Sequence, residues 1–133
     1  MNEMQELIQE ILTGMQRRYR GMSEIERLTK ELADTLSSGD RESAQLLLNM
    51  RQSEMEKVGD VDHALREMLH VLEPEKREYI AGLMNGNEQS GYDSPEEEKI
   101  VRMAEQTSRI LERIIVVDKI LSQKLAGKDS YYR

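Results

Sequence analysis

ILERIIVVDKIL, residues 110–121, is too apolar for a helix that buries a single face. At roughly 100° per residue, Ile110, Leu111, Ile114, Val117 and Leu121 form one stripe, while Ile115, Val116 and Ile120 fall on the sides and back. A helix that only covers a core needs the stripe and not the rest. The surplus predicts a further shield: a partner helix, a second copy of the chain, or residues 75–93 folded back over it. All eight side chains therefore form the candidate partner-binding site. Asp118 interrupts the stripe, with Thr107 on the same side. It reads either as a carboxylate paired with an Arg or Lys of a neighbouring helix or as a polar marker that sets the register of a docked one.

Upstream of this stretch, Ser94-Pro95-Glu96-Glu97 is a helix start. Ser94 caps, Pro95 suits the first helical position, and Glu97 completes a capping box. The helix is predicted over about 95–126, with Gly127 as its stop and a flexible tail at 127–133. Two more long helices precede it. The first, about 3–36, carries a stripe from Met4 through Ile11, Met15 and Leu28 to Leu36 at alternating steps of three and four, the pattern of a left-handed supercoil. Gly14 and Gly21 lie seven apart on its edge, either as sites of close helix approach or as tolerated weak spots. Ser37-Ser38-Gly39-Asp40 is a tight turn, with Gly39 suited to the left-handed position and Asp40 to the next N-cap.

The second helix is predicted over about 41–73, with Ala44, Leu47, Met50, Val58, Val61, Leu65, Met68, Leu69 and Leu72 inward. Arg51 and Glu54 share that face and read as a mutual ion pair or as a wet part of the seam. Pro74 breaks the helix, and a short helix follows over about 75–84 before the turn-rich segment 85–93. Each long helix spans on the order of 50 Å. The expected fold is all-α: one domain, 1–133, forming an elongated antiparallel helical bundle or coiled coil of three long helices and one short one.

Composition narrows the function classes. The chain has 133 residues, a net charge of −7, no Cys, no Phe and no Trp, and nine Met. An acidic surface argues against nucleic acid, whose phosphates demand a basic face; Arg17-Arg18-Tyr19-Arg20 is the one basic spot. Absent cysteine excludes disulfides and thiolate metal sites, and fits a cytoplasmic protein. MNEMQELIQE lacks a signal pattern and no run reaches transmembrane length, so no membrane insertion is expected. His63, Glu67 and His70 align along the second helix, and Glu67-Met68-Leu69-His70 has the Glu-x-x-His form of di-iron bundles. No second copy exists, and the three face away from the apolar stripe. No metal, cofactor or catalytic set is expected, and the chain reads as a non-enzyme.

The segment LADTLSSGDRESAQLLLNMRQSEMEKV, Leu32 to Val58, resembles the flagellar export chaperones of the FlgN kind, small helical type III secretion chaperones. The likeness lies in a long helix, a Ser-Gly-Asp turn and a second helix opening with mixed charge and leucines. Where that family often continues with lysine and leucine, this chain has Asn49-Met50-Arg51-Gln52. The resemblance implies a cytoplasmic chaperone without cofactor that binds helical C-terminal segments of secreted hook–filament junction proteins, with client contact in the C-terminal helix. The alternative is a non-enzymatic coiled-coil scaffold or homodimer.

Overall fold

In the computed structural model, which describes residues 2–132 and their side chains as far as Lys124, the chain is an all-α helical bundle. Its helices are α1 (Glu3–Ser38), α2 (Arg41–His70), α3 (Pro74–Met84) and α4 (Pro95–Tyr132). The α1–α2 turn forms as its residues dictate. Gly39 is left-handed at φ 80°, its N–H donates to the Leu36 carbonyl, and Asp40 accepts from the Ser43 N–H at 3.0 Å. An unforeseen capping box, Asn2 with Gln5, starts α1.

Two helix ends differ from expectation. α2 stops at His70, three residues before the predicted Glu73, because the residue preceding a proline is held out of the helical region. Glu73 is accordingly extended, at ψ 148°. The early stop turns Leu72 into the core, and Arg77 from α3 donates to the carbonyls of Leu69 and Leu72 at the helix end. At the other end, α4 passes through Gly127 and runs to Tyr132. Glycine weakens a helix by about 1 kcal/mol against alanine but does not forbid one. The side chains of the predicted tail lie outside the described residues.

α1 is the central member. It packs along both α2 and α4, which make no extended contact with each other. α2 runs antiparallel to it, with Gly14 against Leu65 and Gly21 against Val58. α4 runs parallel to it: Arg113 pairs with Glu26 and Lys124 with Ser37, the same offset of 87 residues twice. Three apolar clusters follow the long axis. The largest joins Ile11, Met15, Leu65, Ile80, Leu83, Ile100 and Val101; the next is Ile25 with Ile110 and Ile114; the last is Leu28, Leu32, Leu47 and Leu121. Met4 and Met50, expected inside, are exposed.

Gly14 and Gly21 are places of close approach. A Cβ on Gly14 would stand 2.6 Å from Leu65 Cδ2, and one on Gly21 2.5 Å from Val58 Cγ2. Leu65 is buried and Val58 is stiff at χ1, so neither yields freely. Gly59, also mid-helix, faces open space. Gly59→Ala is expected to stabilise by about 1 kcal/mol, while Gly14→Ala and Gly21→Ala should each lose up to about 2 kcal/mol through overpacking. Urea denaturation midpoints of the three variants check this; equal gains at all three sites would refute the close packing.

Candidate partner-binding site

The eight predicted site residues do not form one surface. Ile110, Ile114 and Leu121 are buried against α1, and Val117 is half-buried beside them. The other four remain exposed: Leu111 at 43%, Ile115 at 46%, Val116 at 59% and Ile120 at 43%. Leu111, expected in the buried stripe, lies outside it because its roughly 100° offset from Ile110 carries it past the seam with α1.

The exposed four divide between opposite flanks. Leu111, Ile115, Asp118 and Ser122 follow one another at steps of four, three and four, and Asp118 reaches across to α2. Val116 and Ile120 follow Arg113 at steps of three and four, and Arg113 reaches Glu26 on α1. The first set faces a groove between α4 and α2, and the second lies along the outer α1 edge.

Asp118 takes the first of its two sequence readings. Arg51 Nη2 donates to both its oxygens, at 2.9 and 2.7 Å. The predicted Arg51–Glu54 pair does not form; Glu54 meets Lys57 at 3.2 Å instead. An arginine at a helix interface reaches the carboxylate on the facing helix, where its one terminal nitrogen Nη2 bridges both oxygens in a charge-assisted contact. This pair crosses the groove, which encloses about 290 Å³ and is lined by Leu32, Leu36, Leu48, Arg51, Asp118, Leu121 and Ser122. Thr107, also expected near Asp118, is buried below it.

Two exposed apolar residues on the Arg51 stripe, the first of which lines the groove, escaped the sequence reading. Leu48 and Met55 of α2 are exposed and lie three and four residues either side of Arg51, on its stripe. The signal was present in Leu46-Leu47-Leu48: one buried face takes only one of three consecutive leucines. Leu47 is the buried one.

The lower half of the same groove is filled by α3. Ile80 and Leu83 are wholly buried there against Leu65, Ile100 and Val101. The Glu97 carboxylate, expected to close a capping box, turns inward instead, and only the Ser94 half of that box forms, with Ser94 Oγ accepting from the Glu97 N–H at 3.3 Å. Glu97 stands by the Tyr79 hydroxyl and 3.9 Å from Lys76 Nζ. Burial foremost, and then Glu97, push the Tyr79 hydroxyl up to about 12. On the outer edge, the hydrogen bond from Arg113 holds Glu26 below the usual carboxylate range. His63 and Glu67 are exposed, 4.0 Å apart, on the far side of α2.

Among the described residues no group of three or more His, Cys, Asp or Glu side chains is placed to hold a metal ion, and no described helix is long and apolar enough to cross a membrane. Comparison of the chain with family models, curated proteins and solved structures finds no match.

Proposed function

We propose that this chain is a non-enzymatic binding protein that holds a helical segment of another protein against α4. The observation that carries the proposal is the exposure of Leu111 and Ile115 on the flank of α4 that faces α2, where the exposed Leu48 lines the groove. Isolated exposed apolar residues are ordinary, but exposed apolar side chains on both helices that flank one groove of a charged chain mark an interaction surface. The resemblance of Leu32–Val58 to the FlgN kind of export chaperone adds the cargo: C-terminal helices of secreted hook–filament junction proteins, bound in the cytoplasm before export.

Methionine side chains re-pack around varied ligands, and the exposed Met55 lies on the same stripe of α2 as the groove-lining Leu48 and Arg51. Burying four aliphatic anchors contributes roughly 6–12 kcal/mol gross. Association costs of about 4–15 kcal/mol offset much of it, which suits a carrier that must release its cargo.

Isothermal titration of the purified chain with synthetic C-terminal segments of hook–filament junction proteins tests the cargo. Micromolar binding, lost on scrambling the segment, is the expected result. A second reading, a homodimerising scaffold, draws on the separate Val116–Ile120 edge. A dimer that persists on dilution to nanomolar concentration, with no segment bound, would favour it and overturn the first.

A further inference from the structure

The groove between α2 and α4 is the fourth corner of a four-helix bundle, occupied for half its length. α1, α2 and α4 take three corners. α3 sits opposite α1, between α2 and α4, and buries Ile80 and Leu83. It ends at Met84, and the following Gly86 lies beside Ala104 and Glu105 of α4. The flank of α4 that α3 covers does not end there. Glu97, Val101 and Ala104 continue as Ser108, Leu111, Ile115, Asp118 and Ser122, at unbroken alternating steps of four and three. The first three are buried; Leu111 and Ile115 are exposed. From Ala104 to Ser122 the uncovered flank rises about 27 Å.

We infer that this vacant half-corner is the seat of an amphipathic helix from another protein, about 18 residues long and stacked end-on above α3. The seat rests on the proposed helix-binding function and adds its location, its lining on α2 and the chemistry of its occupant. Leu48 lines the α2 side of the groove, with the exposed Met55 on the same stripe, and Asp118 and Ser122 line the α4 side, with the exposed Leu111 and Ile115 on theirs, so the occupant carries apolar side chains toward both. Midway it meets the Arg51–Asp118 pair. Arg51 satisfies part of the acceptor capacity of the carboxylate, and a helix laid over it removes the water that satisfies the rest. The occupant therefore carries one hydrogen-bond donor, Gln or Lys, at that level.

A second copy of this chain does not fit the seat. Outside the groove, the exposed large hydrophobics among the described side chains are the pairs Leu46–Met50 and Val116–Ile120 and the isolated Met4 and Val71. A docked helix anchors at i, i+3, i+4 and i+7, and no convex face among the described side chains offers that run.

The chain contains no cysteine, so single variants Met55→Cys, Ile115→Cys and Val116→Cys each accept one environment-sensitive fluorophore. The probe is a designed amphipathic peptide of about 18 residues, with leucine at heptad positions and glutamine at the central one. Blue shifts at positions 55 and 115 but not 116 are expected. Replacing the central glutamine by leucine should weaken binding about tenfold. A shift at 116 alone overturns the seat while leaving helix binding in place. A shift at 55 and 115 without peptide, growing with protein concentration, makes the occupant a second copy and overturns the proposal. No shift at any label also overturns the seat, and titration with the junction-protein segments then judges the cargo separately.

Discussion

The double variant Leu111→Asp, Ile115→Asp is expected to keep its fold and lose its partner. Both side chains are already close to half exposed, so the folded state sacrifices little buried area, and surface substitutions of this kind stay within about 0.5 kcal/mol. Circular dichroism and the urea midpoint should match the parent chain. In a complex, each residue contributes roughly 1.5–3 kcal/mol when fully covered, and each introduced carboxylate is stripped of water without a partner. The dissociation constant should rise at least 100-fold, since about 1.4 kcal/mol corresponds to a factor of ten. Titration against a binding segment reads this directly. Val116→Asp with Ile120→Asp is the matched control on the opposite flank, and equal losses from both pairs would show that the groove is not the main contact.

The second large effect concerns stability. Ile80→Ala and Leu83→Ala each remove a wholly buried side chain from the largest apolar cluster. Such truncations cost about 2–5 kcal/mol. The double variant should approach unfolding, because net stabilities are only about 5–15 kcal/mol. α3 has 11 residues, too short to persist as a helix without packing. Its amides should lose hydrogen-exchange protection ahead of those of α1. Once α3 lifts, Ile100, Val101 and Leu65 lose their cover, so the damage should spread to the urea midpoint. A midpoint within about 0.5 kcal/mol of the parent would mean that α3 is not part of the cooperative core.

Much of the bundle was legible in the residues. Gly39 and Asp40 make a turn by backbone chemistry alone, and Pro74 separates two helices because it has no N–H to give. The aliphatic excess of 110–121 was legible as excess: Ile115, Val116 and Ile120 are exposed, and Leu111, read as part of the buried stripe, joins them. Its division was not legible. Which side of a helix Ile115 or Val116 joins depends on where neighbouring helices lie, and sequence periodicity carries no information about that. Arg51 illustrates the same limit: Glu54 is its neighbour along the helix, yet a carboxylate 67 residues away is its partner in space.

The sequence by itself determined the four helices, the breaks at Gly39 and Pro74 and the presence of more apolar surface than one seam can hide, because those follow from local backbone preference and the 3.6-residue period. Only the tertiary structure decided that α3 fills half of a corner and leaves the rest open, that Gly14 and Gly21 admit α2, and that the surplus faces two ways. The reason is steric. Such features arise from the distances between helices, and these are set by side chains far apart in the chain that meet only after it has folded.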